Sequence, residues 1–141
     1  MTQLSSDLIH ASCVAIGERA VLIAGRSGTG KSDLALRLID RGAVLVSDDY
    51  TEVRRRDRTL FATPPARIAG KIEVRGVGIV DMPHLPEAEV ALLIDLEAEV
   101  KRMPEAQTRR LAGVDVPAYA LASLEASAPI KVELLLKALS R

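Results

Sequence analysis

Gly25-Arg26-Ser27-Gly28-Thr29-Gly30-Lys31-Ser32 matches the pattern G-x-x-x-x-G-K-[ST] of a phosphate-cradling loop set between a strand and a helix. Each fixed position has a physical reason. Glycines let the backbone curl until successive N–H groups converge on phosphate oxygens, where a Cβ would obstruct the approach. A helix starting at the end of the loop adds the positive end of its dipole. Lys31 would reach the β- and γ-phosphates, and the Ser32 hydroxyl would ligate Mg2+. The bland alternative is a glycine-rich turn before a helix. At average residue frequencies the whole pattern arises by chance in about 0.005 chains of this length, so Gly25, Arg26, Ser27, Gly28, Thr29, Gly30, Lys31 and Ser32 are taken as a nucleotide site.

The flanks supply the strand and helix that such a loop needs. Leu8 to Ile16 reads as a strand, Gly17-Glu18 as a tight turn, and Arg19 to Ala24 as the second strand of an antiparallel hairpin running into the loop. A helix from about Lys31 to Arg41 puts Leu34, Ala35, Leu38 and Ile39 on one face, and Gly42 stands where a left-handed cap is wanted. Ala43 to Ser47 is an apolar strand ending in Asp48-Asp49. Tyr50 to Arg54 and Thr59 to Thr63 predict a hairpin turning through Arg55 to Arg58. Pro64-Pro65 opens a loop to about Gly70, and Lys71 to Val74 and Ile79 to Met82 are short strands around RGVG. Val90 to Leu96 is a buried strand, whereas Glu97 to Gly113 is polar and weakly patterned, a loop with a helical turn. A last helix spans about Ala128 to Ser140, with Ser127 as N-cap and Pro129 in the first turn. Its apolar residues, Ile130, Val132, Leu134, Leu135, Leu136, Ala138 and Leu139, cover more than one face. Such a helix is either deeply buried or half of a subunit contact. The sum is a mixed α/β domain with few helices and many short strands.

Composition narrows the function classes. The 141 residues and 15.1 kDa suit one domain over residues 1–141 with no separate N-terminal domain. Apolar residues at 48% are enough for a core. Nineteen basic residues balance nineteen acidic ones, which argues against a nucleic-acid binder. Aromatics are only Tyr50, Tyr119 and Phe61, too few for base-stacking platforms. The run Arg54-Arg55-Arg56-Asp57-Arg58 is accordingly read as a solvated hairpin tip. No uncharged run approaches the roughly 20 residues of a membrane span, and the start lacks a basic-then-apolar leader. The single Cys13 excludes an internal disulfide and reads as a small buried hydrophobe in a reducing, cytoplasmic setting.

A phosphate loop needs a further carboxylate for metal or base chemistry, and the residues alone offer Asp48-Asp49, Glu73, Asp81 and Asp95. Asp95, after ALLI, has the most conventional pattern. Asp48-Asp49 follows the strand immediately after the loop's helix, which a crossover can bring back beside the loop. Adjacent carboxylates in a strand point to opposite faces, so only one of the pair is expected at the phosphates.

The run from His10 through the loop to VLVSDDY, followed by EVRGVGIVDM, resembles the catalytic domain of HPr kinase/phosphorylase in order and spacing over nearly the whole chain. That resemblance implies a P-loop fold related to phosphoenolpyruvate carboxykinase, ATP and Mg2+ as cofactors, and transfer of phosphate to a serine of HPr, the phosphocarrier of the bacterial sugar phosphotransferase system. It also implies roles. Asp49 accepts the serine proton, His10 stands on the strand before the loop, Lys31 and Arg102 act at the transferred phosphate, and Ser32 and Glu73 hold Mg2+. It further implies a hexamer, a cytoplasmic location and no nucleic-acid or membrane partner. Two departures stand out. Only nine residues precede His10, as in a short form. The stretch Ala122 to Pro129 lacks the arginines of the family's P-x-R-P-G-R-N-like segment, so phosphorolysis is expected to be weak. His84 is expected in a loop. Two rival readings remain: a small-molecule kinase with a lid built from Arg102, Arg109 and Arg110, and a nucleotide-dependent switch with Asp95 on Mg2+.

Overall fold

The computed structural model describes residues 5–139. The first apolar run, expected as one strand, is two: β1 (Ser6–Ile9) and β2 (Ala11–Ile16), parted by a bend at His10. Each half has its own partners. β1 pairs with β5 (Thr51–Arg56), and β2 pairs with β3 (Arg19–Ala24) and β4 (Val44–Ser47). The β2–β3 hairpin turns at Gly17 and puts Ala11 opposite Ala24. Both strands are buried on both faces, so they carry continuous apolar runs with no alternation.

Helix α1 (Lys31–Asp40) leaves the loop after β3, buries Leu34, Ala35 and Leu38, and stops at Arg41 and Gly42, whose φ is 111°. β4 then returns beside β2, so β2 lies between β3 and β4 and runs against both. β5 and β6 (Thr59–Thr63) make the expected hairpin, extended to Arg56 and turning at Asp57. At its tip Arg56 lies 3.7 Å over the Phe61 ring and pairs with Glu87, and Arg55 packs against Gly113. These basic side chains belong to the fold. After a 3-10 turn at Ala66–Ile68, β7 (Lys71–Val74) and β8 (Gly78–Asp81) form a separate two-stranded ribbon. His84 is less loose than expected, since it bridges to Leu45 and fills the space over Gly70.

β9 (Ala88–Asp95) is the central strand. β3 runs parallel to it along one side, with Ala91 left out of the register as a bulge. Its other side is shared: its start pairs with β6, and its end with β11 (Val114–Ala120). The stretch 97–113, expected as loop with a helical turn, contains β10 (Gln107–Leu111), which pairs with β11. Gln107 to Arg110 are all exposed on this edge strand, so no apolar alternation marked them. Polar side chains suit an unpaired edge.

The nine-stranded sheet encloses one core between β2, β3 and β9 and the outer strands β5, β6, β10 and β11. Cys13, Leu22, Leu60 and Leu93 meet there, and burial pushes the Cys13 thiol up. The opposite face packs against α1, the β7–β8 ribbon and α2 (Ala128–Ala138). Ser127 is the N-cap by position, yet its side chain makes no capping bond. Ala128, Val132 and Leu136 are buried, whereas Leu134 is 60% exposed and Ile130 is exposed too. The helix therefore seals the core with one face and presents apolar residues on another. Ser140 lies outside the described residues. Among the described residues no helix is long and apolar enough to cross a membrane.

Asp95, at the end of β9, ties the β10–β11 hairpin down. Its Oδ2 lies 2.5 Å from Arg109 Nη2, and its Oδ1 accepts the N–H groups of Glu97 at 2.8 Å and Ala98 at 3.1 Å. Burial, the largest single influence, pushes its pKa up. The Arg109 guanidinium and the two N–H groups together outweigh burial and hold the carboxyl below its usual range. A depressed carboxyl stabilises the fold above its ordinary pKa, and that stabilisation is lost as pH falls through the lowered value. Asp95→Asn is expected to cost about 1–2 kcal/mol at neutral pH and to make stability fall less steeply with acid below about pH 4; urea unfolding between pH 3 and 7 measures both. Leu93→Ala, at the crossing of β3, β9 and β11, is expected to cost about 3 kcal/mol, against less than about 0.5 for Leu134→Ala.

Candidate functional site

The topology gathers the chemistry at one end of the sheet. β3, β4, β9 and β11 all end there, and β2, running the other way, begins there. His10 and Ser12, the glycine-rich loop and Asp48-Asp49 are thereby brought together from distant parts of the chain. Crevices at the carboxyl ends of parallel strands are where open α/β sheets bind ligands.

The loop is closed before any phosphate arrives. Thr29 donates to the Arg26 carbonyl through its N–H at 3.2 Å and its hydroxyl at 2.7 Å. Two glycines are needed for close approach. A Cβ on Gly25 would collide with the Thr29 side chain, and one on Gly30, whose φ is 95°, would lie 2.6 Å from Ser123 Oγ. Gly30 is also the N-cap of α1 and offers no side chain to the first turn, so the helix's leading N–H groups stay available to an anion.

Lys31, 4% exposed, lies 3.3 Å from Asp49 Oδ1 and 3.3 Å from His10 Nε2, and donates to the Arg26 carbonyl at 3.0 Å. His10 Nε2 is 3.0 Å from the same Asp49 oxygen. The His10 ring stacks on Tyr50 with centroids 4.7 Å apart and planes 7° from parallel, which fixes the edge it turns to Asp49. The His10 and Asp49 side chains are 32% and 47% exposed, so the carboxylate faces outward.

Asp48 takes the inner position. Its Oδ1 accepts the hydroxyls of Ser32 at 2.6 Å and Ser12 at 2.8 Å, and its Oδ2 accepts the Glu73 N–H at 3.0 Å. The two aspartates do not divide between opposite faces as strand alternation predicts. β4 ends at Ser47, and Asp49 turns into a left-handed conformation with φ 68°, stabilised by its N–H donating to Ser12 Oγ at 3.0 Å. Both carboxylates therefore serve one site. The hydroxyl of Ser12, inside an apolar strand, was not singled out by the sequence, because only its distant partners give it a function.

A magnesium ion suits these donors. Mg2+ usually takes one or two carboxylates and completes its shell with phosphate oxygens and water. The Ser32 hydroxyl with the buried Asp48 behind it makes such a partial set, and the Glu73 backbone is held to the other Asp48 oxygen. Among the described residues no group of three or more His, Cys, Asp or Glu side chains forms a complete cage. Asp81 pairs with Lys71 on the ribbon, and Asp95 is taken up by Arg109. Arg102 is exposed on the 97–106 segment and makes no hydrogen bond or ion pair among the described residues.

Comparison with known proteins agrees with this fold. The family model described as HPr Serine kinase C-terminal domain matches residues 2–122. An HPr kinase/phosphorylase of Clostridium botulinum is 38% identical over 96 residues, covering 63% of this chain and 32% of that protein. One from Limosilactobacillus reuteri is 39% identical over 111 residues, covering 73% and 34%. The chain thus spans about a third of the length of the curated relatives it matches. The solved structure of the Hpr(Ser) kinase/phosphatase from Coxiella burnetii superposes with a TM-score of 0.81 at 28% identity, over 94% of this chain and 95% of that one. With loop, aspartate pair and sheet all in the matched region, the chain belongs to the HPr serine kinase C-terminal domain family.

Proposed function

We propose that this domain is an ATP-dependent serine kinase acting on an HPr-like phosphocarrier in the bacterial cytoplasm. The observation that carries the reading is the half-exposed Asp49 carboxylate beside His10 and the buried Lys31, at the mouth of the glycine-rich loop. A serine hydroxyl is a poor nucleophile, so a carboxylate has to orient it and take its proton. An outward-facing base can be reached by a hydroxyl held on the surface of another protein.

In this reading the loop's N–H groups and the start of α1 hold the β- and γ-phosphates. Lys31 exchanges Asp49 and the Arg26 carbonyl for phosphate oxygens, which frees Asp49. The incoming serine oxygen forms its bond to the γ-phosphorus while the bond to the β–γ bridging oxygen breaks, and the hydroxyl proton passes to Asp49. ADP leaves with the electrons of the broken bond, and Lys31 neutralises the charge that develops there. His10 keeps Asp49 in place and shares its proton. Mg2+, held by Ser32 and Glu73, would neutralise phosphate charge. Arg102 would act at the transferred phosphate, a role that the family resemblance supports.

The rival readings lose their key residues. Arg109 and Arg110 lie in β10 and pair with Asp95 and Asp115, so they do not form a lid. Asp95 is engaged by Arg109 and two N–H groups, which leaves it poorly suited to hold the metal of a switch. The reverse reaction, attack of inorganic phosphate on phosphoserine, is proposed to be weak. Ala122 to Pro129 contributes no arginine, and Arg37, which reaches this segment, is engaged by the carbonyls of Ser123 and Glu125 and by Asp33.

The test is transfer from γ-labelled ATP with Mg2+ to purified HPr. Asp49→Asn is expected to lower labelling at least about a hundredfold while magnesium-ADP binding persists. ATP consumed without labelled HPr would instead indicate a metabolite acceptor, and phosphorolysis as fast as the forward reaction would refute its proposed weakness. Tyr50→Phe, which keeps the stacked ring, is expected to retain activity, and Tyr50→Ala to lose about tenfold in kcat with a changed pH profile.

A further inference from the structure

We propose that Glu97 and Ser123 are positioning residues of the nucleotide loop, pinning it from outside at two points so that its N–H groups are shaped for phosphate in advance. The inference rests on reading Gly25 to Ser32 as the nucleotide site and assigns a function to two residues that the loop motif does not contain.

The first pin acts on Arg26. Glu97 Oε1 accepts the Arg26 backbone N–H at 2.8 Å and its Nε–H at 2.6 Å. Glu97 is itself fixed: its own N–H goes to Asp95 Oδ1 at 2.8 Å, and the preceding Leu96 N–H goes to the Ala24 carbonyl at 2.9 Å, at the very end of β3. The Arg26 backbone N–H, followed by its guanidinium, holds the Glu97 carboxyl below the usual carboxylate range.

The second pin acts on Thr29. Ser123, 7% exposed, donates its hydroxyl to the Thr29 carbonyl at 2.7 Å. It lies against Gly30 so closely that a Cβ there would collide with it. Arg37 of α1 holds Ser123 from behind, donating to its carbonyl and, at 3.0 Å, to the carbonyl of Glu125, while Asp33 accepts the Arg37 Nε–H at 3.0 Å. The helix that receives the phosphates thus also secures the residue that shapes the loop before it.

Arg26 and Thr29 are also the two residues that close the loop on itself. Fixing both leaves Ser27 and Gly28 as the free apex. A loop without these pins has to be ordered by the ligand, and that ordering is subtracted from affinity. The loss belongs to nucleotide binding and leaves the Asp49 chemistry intact.

The experiment is equilibrium binding of magnesium-ADP to the full chain by calorimetry, with thermal unfolding of the nucleotide-free protein alongside. Glu97→Ala and Ser123→Ala are each expected to raise Kd about tenfold, and the double variant about a hundredfold. In phosphate transfer they are expected to raise KM for ATP by similar factors, with kcat at saturating ATP within about twofold of wild type. Leu124→Ala, at the exposed neighbour of Ser123, is expected to change neither. If wild type binds and both single variants bind within twofold of it, the inference is overturned. If wild type binds no nucleotide, the reading of the loop itself fails. Should an alanine variant unfold, Glu97→Met, which keeps the side-chain length without the acceptor oxygen, and Ser123→Cys, a weak donor, decide on the same terms: a rise in Kd of more than about threefold upholds the pin, and an unchanged Kd removes it.

Discussion

Asp48 is a carboxylate drawn almost entirely out of water, and the site is built around satisfying it. An ionised carboxylate is kept inside a protein only when hydrogen bonds replace its hydration. Here the replacements come from Ser12 on β2, Ser32 at the head of α1 and the Glu73 backbone on β7. Three separate pieces of chain are therefore held to one pair of oxygens. The ribbon β7–β8, which is not part of the main sheet, is docked at the site through this contact and through Ile72 in the core. Asp48 thus adds a hydrogen bond at the site to the apolar contacts that already hold the ribbon.

The neighbouring aspartate does the opposite job with the same chemistry. One left-handed residue turns Asp49 outward, where Lys31 and His10 hold it near the surface. The result is a graded site: fixed charge and hydroxyl inside, where phosphate and metal would sit, and a reachable carboxylate outside, where the acceptor would approach. Buried donors can be prearranged for a small, constant ligand. An acceptor carried on another macromolecule needs an open side.

How much of this the sequence reveals depends on how local each cause is. The glycine-rich loop, the β2–β3 hairpin and α1 follow from short patterns, because turn residues, caps and helical periodicity act over a few positions. The bend at His10 does not, since it arises from pairing at long range: β1 turns aside to β5, while β2 pairs with β3 and β4. Strand β10 is hidden because an exposed edge needs no apolar alternation. Asp48 and Asp49 are visible as a pair, but their joint orientation depends on a single backbone angle. Arg102 is exposed on a segment that this side chain does not tie to the loop or to the aspartate pair.

The shared strand β9 has a consequence for the order in which the chain is made. The loop at residues 25–32 leaves the ribosome some sixty residues ahead of β9, and β3 cannot find its parallel neighbour until residue 95 has emerged. The contacts at Glu97 and Ser123 come later still. Contacts this far apart close slowly. During elongation the nucleotide loop is thus a flexible glycine-rich segment beside two strongly apolar strands with no cover on either face. The loop takes its final shape only once residue 123 has emerged, so a nascent chain lacking those later contacts has the motif without the shape.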